Sequence, residues 1–398
     1  MSRILFAWEL GANFGHIARD LPLALACRAA GHDVLFAVTD LAICRGIASE
    51  YGFAFVQAPV ARPKSFRQKQ PNPINFADML LRSGFAERES LDASVLGWKG
   101  LFDLFKPDLV VHDFAPRALL AARLQGLPVL LLGNGFETPL KASPQPSFRP
   151  WEPISAGDLQ RAEDSLVEHI NGALARHGGD PIGRLWDLYA AHPLLMTGFR
   201  EFDHFGARPE ATYVGPAVHL PAAQSARFER NGLHVLVYLR STIALVENVF
   251  EALQQVDAEV VCIIPDLPPH WPDKYGRLRF YLGPIDLQAM LPQANLMISH
   301  GTGTLGAAVA AGVPVLMVPN VVENYLSSIA LEQQGLGIVL RKRDSVPHCQ
   351  KLIQELLVRE RYRIAAQELA TRYADFKPED SVRQQLEAVR RLVSAPVS

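Results

Sequence analysis

The segment "MISHGTGTLGAAVAAGVPVLMVP", residues 297–319, carries an apolar strand ending, a histidine, a run of glycine and threonine, a small-residue stretch and a second apolar run. The order is that of a strand passing into a helix and then into a second strand. Glycines at such a turn free the backbone to approach a ligand closely. The first N–H groups of the helix have no intrahelical partner, and the helix dipole adds partial positive charge there. His300, Gly301, Thr302, Gly303 and Thr304 therefore read as an anion seat at the carboxyl edge of a parallel sheet. The small residues Gly306, Ala307, Ala308, Ala310, Ala311 and Gly312 let the helix lie close on that sheet. A Gly-rich turn also serves backbone geometry alone, so the surrounding pattern has to decide.

That pattern alternates short apolar runs with stretches of helical period, as βαβ units do. Strands are expected at 3–10, 33–39, 53–59, 108–114 and 128–134 in the first half, with "IARDLPLALACRAAGH" (17–32) a helix closed by Gly31. The alternation restarts at "HVLVYLRST" (234–242), followed by strands at 259–266, 278–283, 294–300 and 313–319. Two restarting sheets mean an α/β chain of two Rossmann-like domains, and 398 residues suffice for two cores. The expected boundaries are 1–216 for the first domain, 217–232 for a Pro/Ala/Gly-rich linker, 233–375 for the second domain and 376–398 for a C-terminal helix. Asp380 and Ser381 offer that last helix an N-cap.

Composition narrows the partners. A net charge of −2 gives no electrostatic footprint for nucleic acid. No run approaches the roughly 18 apolar residues of a spanning helix, and the N-terminus lacks a leader pattern. A cytoplasmic, soluble protein is expected. Cys27, Cys44, Cys262 and Cys349 form no C-x-x-C pair and read as small buried apolar residues. No metal site is expected, and no D-x-D occurs.

A second strand-to-helix turn, "WELGANFGH" (8–16), lacks the G-x-G-x-x-G spacing of a nicotinamide fingerprint, which argues against a dehydrogenase. It sets His16 at the mouth of a sheet, where an imidazole can take a proton from a bound hydroxyl. Asp113, at the end of the strand at 108–114, is placed to fix the tautomer of His16, while alternation turns the adjacent His112 to the opposite face. The Pro-rich loops 58–76 and 133–153 are candidates for an acceptor pocket, with Asn13 and Phe136 as contact residues.

Taken together, "GANFGHIARDLPLALACRAAGHDVLFA" (11–37) and "PQANLMISHGTGTLGAAVAAGVPVLMVPNVVENYLSSIALEQQGLGIVL" (292–340) resemble nucleotide-sugar glycosyltransferases of the two-Rossmann-domain (GT-B) type. "KPDLVVHDF" (106–114), "YVGP" (213–216) and "VLVYLRST" (235–242) extend the resemblance over nearly the whole chain. Within that type it is most similar to the UDP-glycosyltransferase superfamily acting on bacterial natural products. The resemblance implies parallel sheets facing across a cleft, a C-terminal helix crossing back, an acceptor domain first and a nucleotide-sugar domain second.

It further implies His16 as general base, Asp113 as its orienting partner, and His300 with residues 301–304 as the diphosphate seat. Ser241 would also approach the phosphates, and Glu323 and Asn324 would hold the donor sugar. The implied activity is inverting, metal-independent hexosyl transfer from a UDP- or dTDP-sugar to a hydroxyl of a small apolar acceptor. No cofactor is required beyond the nucleotide-sugar co-substrate.

This chain departs from the family pattern in several places. "HGTGT" is one residue shorter than the usual H-G-G-x-G-T, Asn324 stands where glutamine is common, and Arg19 replaces the proline three residues after the histidine. Arg240 stands where glycine is common and offers a guanidinium to the diphosphate. Alternative readings are a lipid-intermediate glycosyltransferase or sugar-nucleotide epimerase of the same fold, or a catalytically silent partner of a glycosyltransferase.

Overall fold

A computed structural model of the chain describes residues 1–11, 15–59, 72–217, 224–283 and 285–394, the Thr302 side chain excepted. In chain order the first half contains β1 (Arg3–Trp8), α1 (Gly15–Ala29), β2 (Asp33–Val38), α2 (Leu41–Tyr51), β3 (Ala54–Gln57), α3 (Phe76–Leu80), α4 (Arg88–Phe105), β4 (Leu109–Asp113), α5 (Pro116–Gln125), β5 (Val129–Gly133), α6 (Ala156–Arg176), β6 (Leu194–Met196) and β7 (Ala211–Tyr213). The second half contains β8 (His234–Tyr238), α7 (Val246–Leu253), β9 (Glu259–Ile263), α8 (Trp271–Lys274), β10 (Leu278–Tyr281), α9 (Leu287–Met290), β11 (Leu296–Ser299), α10 (Thr302–Ala310), β12 (Val315–Met317), α11 (Val322–Gln333), β13 (Gly337–Val339), α12 (Val346–Val358), α13 (Glu360–Arg372) and α14 (Pro378–Ser394).

The chain divides into two compact units. The first comprises residues 1–197, 208–219 and 378–398; the second comprises 198–207 and 220–377. The first holds a seven-stranded sheet in the order β3-β2-β1-β4-β5-β6-β7, the second a six-stranded sheet in the order β10-β9-β8-β11-β12-β13. Every pairing between these strands is parallel. Parallel sheets are covered on both faces, which is why β4 and β5 are buried at every residue instead of alternating.

Each unit has its own core. In the first, Ile4, Phe6 and Trp8 of β1 pack with Ile17 and Leu21 of α1, Phe36 of β2 and Val389 of α14. In the second, Val235 and Val237 of β8 pack with Phe250 of α7, Trp271 and Tyr275. All four cysteines are buried and unbridged, and burial pushes the Cys27 and Cys44 thiols up to about 12. Among the described residues no helix is long and apolar enough to cross a membrane.

Three strands escaped the sequence pattern: β6, β7 and β13 have three residues each, too few to display a period. Residues 198–207, read from the sequence as part of the first domain, belong to the second unit. There the Phe199 ring stacks on Tyr373 with centroids 3.9 Å apart, and the Tyr373 hydroxyl donates to Glu201 at 2.6 Å.

α14 belongs to the first unit. It starts at Pro378, whose fixed φ suits a first helical turn, so Ser381 lies inside the helix and does not cap it. The Ser381 hydroxyl donates instead to the Gly215 carbonyl at 2.8 Å.

Candidate functional site

In the first unit the strand order reverses between β1 and β4, so the segments leaving these neighbouring strands run to opposite sides and open a crevice at their carboxyl ends. His16 enters α1 just after β1, and Asp113 ends β4. The register pairs Trp8 with Asp113, which brings the histidine's segment to the carboxylate. The His16 Nδ1 lies 2.9 Å from each oxygen of Asp113. The imidazole stacks on the Trp8 ring, centroids 4.9 Å apart, and the Trp8 Nε1–H donates to the Leu10 carbonyl at 2.6 Å. Phe114 flanks the imidazole with centroids 6.5 Å apart. Its φ of 50° is in the left-handed region, held by the Leu10 N–H donating to its carbonyl at 3.0 Å.

Asp113 is wholly buried, and burial alone would raise its carboxyl. The Arg19 guanidinium and then His16 outweigh that and hold it down at about 2. An ionised carboxylate accepts hydrogen bonds and donates none, so the proton between the pair belongs to His16 Nδ1 and the Nε2 lone pair is left free to take another. The backbone of Gly11, at φ 85°, comes so close to this nitrogen that a Cβ there would lie 2.4 Å from Nε2.

Phe136 lies in the same aromatic group, 6.2 Å from Phe114 and 5.1 Å from Phe148 between ring centroids. Asn13 and most of the 58–76 loop lie outside the described residues. His112 is buried away from the pair, edge-on to Tyr189 at 5.9 Å, and its Nε2 accepts the Ala115 N–H at 3.2 Å.

The sequence pattern marked Arg19 only as a departure and did not mark Glu137 or Asp20; all three surround the pair. Arg19 donates through Nη1 to Glu137 Oε1 at 2.7 Å and through Nη2 to Asp113 Oδ1. Asp20, fully buried, is held well above the carboxylate range, by burial first and then by Asp113. One helical turn separates His16 from Arg19, which puts both on one face of α1; that spacing was legible, but the carboxylates Arg19 bonds come from β4 and the segment after β5. The ligand atoms of His16, Asp113 and Glu137 lie within 4.8 Å of one another, a donor set of the kind that can hold a divalent ion. The Arg19 guanidinium already bridges two of the three.

The second unit repeats the topology. Its strand order reverses between β8 and β11, and Tyr238 pairs with both Ser299 and Ile263. Arg240 and Ser241 therefore leave β8 at the same edge at which His300 and Gly301 leave β11. Only these last two residues separate β11 from α10. Thr302, Gly303 and Thr304 thus form the helix's first turn, and Gly301 is an N-cap with no side-chain cap. With glycine at the N-cap, no side chain from that position covers the first amides of α10, a condition for anion binding.

His300 has its side chain 6.1 Å from the Tyr238 ring, and burial lowers its titration from the ordinary value. Glu323 and Asn324 begin α11, after β12, and are half-buried. An unforeseen neighbour is Asp266, three residues past β9. It accepts both the Ser241 N–H and the Ser241 hydroxyl at 3.0 Å, and these bonds lower its carboxyl against the effect of burial.

Comparison with known proteins agrees with this topology. The family model "Erythromycin biosynthesis protein CIII-like, C-terminal domain" matches residues 247–389. The PGL/p-HBAD biosynthesis glycosyltransferase of Mycobacterium tuberculosis is 23% identical over 98% of this chain and 92% of its own length. Among solved structures, the calicheamicin glycosyltransferase CalG4 is similar with a TM-score of 0.74 at 19% identity, covering 99% of each chain. The glycosyltransferase VinC, solved in complex with DTDP, has a TM-score of 0.65 at 18% identity over 98% of this chain and 100% of its own. The chain has the GT-B fold and is a glycosyltransferase, similar to those that act on bacterial natural products.

Proposed function

We propose that this glycosyltransferase moves a sugar from a UDP- or dTDP-sugar to a hydroxyl of a small apolar acceptor, with inversion and without a metal ion. The observation that carries the reading is the His16–Asp113 pair, with Nδ1 bound to the buried carboxylate and Nε2 free. His16 Nε2 takes the acceptor's hydroxyl proton as that oxygen bonds to the anomeric carbon. The bond from that carbon to the diphosphate oxygen breaks, and the nucleoside diphosphate departs with the electron pair. A single displacement inverts the anomeric centre.

The aromatic surroundings of His16, namely Trp8, Phe114 and Phe136, support an apolar acceptor. The uncapped start of α10, with His300, Gly301, Thr302, Gly303, Thr304, Arg240 and Ser241, is the proposed diphosphate seat, and Glu323 and Asn324 the proposed sugar contacts. A relative in fold was solved with DTDP, which supports a nucleoside diphosphate ligand. Helix dipole, amides and the Arg240 guanidinium would stabilise the leaving diphosphate in place of a cation.

Thermal stabilisation by UDP, dTDP and GDP tests the donor site without knowledge of the acceptor. Transfer to a panel of phenolic and polyketide hydroxyls, read by mass, then tests the reaction. Stabilisation by none of the nucleotides overturns the donor reading. Base catalysis contributes about 10²–10⁴-fold, so His16→Ala is expected to lose that much kcat/KM, and wild-type turnover in this variant sinks the base assignment.

A further inference from the structure

We propose that Arg19 is the positioning residue of the base: by keeping the buried Asp113 ionised, its guanidinium fixes on His16 the tautomer whose Nε2 can accept a proton. The proposal rests on the reading of His16 as general base.

Two groups compete for the His16 Nδ1. Both Asp113 oxygens stand 2.9 Å away, and Arg19 Nη2 stands at 3.2 Å. If Nδ1 accepted from Arg19, its lone pair would face a carboxylate at 2.9 Å and the ring proton would sit on Nε2, where it blocks base catalysis. The Nη2 hydrogen instead goes to Asp113 Oδ1, its nearer neighbour, and Nδ1 donates to the carboxylate. That arrangement stands only while Asp113 carries its charge.

Burial works against the charge. Three carboxyls, from Asp20, Asp113 and Glu137, are enclosed together, each with at most 3% of its surface exposed. Burial and the neighbouring Asp113 push the Asp20 carboxyl well up. Asp113 and Glu137 are held low, and Arg19 is the cation bonded to both. Glu137 is itself fixed, with Oε2 accepting the Asn134 N–H at 2.8 Å, so the guanidinium is gripped at both ends.

The groups facing the dyad are Arg19 and Asp20 from α1, Glu137 from the segment after β5, and the Trp8 and Phe114 rings, while His112 of β4 points away but acts on Asp113 through its charge when protonated. Without Arg19, burial acts on Asp113 unopposed by its main cation and favours the protonated carboxyl. That carboxyl then donates to Nδ1, and the imidazole presents Nε2–H to the acceptor hydroxyl.

The test uses imidazole ¹⁵N NMR at pH 7.5 together with pH profiles of kcat/KM. The wild type is expected to show Nδ1–H on His16. Arg19→Met is expected to show Nε2–H and a loss of about 10²-fold or more in kcat/KM. The acid limb of its profile should move to higher pH, because alkali ionises Asp113 again and restores the tautomer. Arg19→Lys keeps a cation and is expected to retain Nδ1–H and stay within about tenfold of wild type.

Because Arg19→Met leaves two buried carboxylates unneutralised and can fail to fold, the double variant R19M/E137Q removes the charges in pairs and is expected to give the same tautomer change. Nδ1–H with a wild-type profile in the double variant overturns the proposal, as does Nε2–H in the wild type. Full activity in His16→Ala would overturn the base reading instead, leaving the tautomer measurement to decide the role of Arg19.

Discussion

Replacing Gly11 with alanine would put a methyl group against the atom proposed to take the substrate's proton. At φ 85° an alanine is strained by about 1–2 kcal/mol. Its Cβ would lie 2.4 Å from His16 Nε2 and 3.1 Å from Cε1. Carbon contacts settle at about 3.5 Å, so the imidazole must retreat by about 1 Å. The ring cannot follow freely, because Trp8 stacks on it and Nδ1 is held by both Asp113 oxygens. A displacement of that size at a reacting atom costs about 10²-fold.

Gly11→Ala is therefore expected to lose at least about 10²-fold in kcat/KM. Its thermal midpoint should fall only modestly, and its stabilisation by UDP or dTDP should match that of the wild type, because the proposed diphosphate seat lies in the other unit. The assay is steady-state transfer beside thermal shifts with and without nucleotide. Wild-type kcat/KM in a folded Gly11→Ala would refute the placement of Nε2 and the role built on it.

Gly337 in β13 sits against the Val315 carbonyl oxygen, which an added Cβ would meet at 1.9 Å. Gly337→Ala is expected to destabilise the second unit by about 3 kcal/mol, read by chemical denaturation, and an unchanged midpoint would contradict the close strand approach. His112, wholly buried, titrates at about 4 in the folded chain against an ordinary 6.5. A depressed histidine gives stability that is complete above 6.5 and lost as pH falls towards 4, here on the order of 3 kcal/mol.

The difference in pH slope between wild type and His112→Asn isolates this contribution from Asp20, whose raised carboxyl acts in the opposite sense. Identical slopes would refute it. Arg240→Ala is expected to weaken UDP or dTDP binding by about tenfold or more through loss of a charge-assisted hydrogen bond, measured by calorimetry; an equal Kd would remove Arg240 from the diphosphate seat.

The βαβ alternation was legible because parallel strands buried on both faces read as apolar runs, and the runs around β1, β4, β8 and β11 sit where they were expected. The strand-to-helix turns at His16 and His300 were legible as well, since glycines between an apolar run and a helical period mark a turn. What escaped was either too short to show a period, as in β6, β7 and β13, or long-range. The Asp266 partner of Ser241 is 25 residues away from it in sequence, and Glu137 is 118 residues from Arg19.

By itself, then, the sequence determined the class of fold and which residues end strands, because hydrophobic period and turn chemistry are local properties of the chain. It also showed Arg19 as a departure from the family pattern, but with no partner to explain it. Only the tertiary structure decided that Arg19, Asp113, Glu137 and Asp20 share one buried space, where three carboxyls compete for one guanidinium. Ionisation depends on burial and neighbouring charge, and both are set by which strands lie side by side at the point where the sheet reverses.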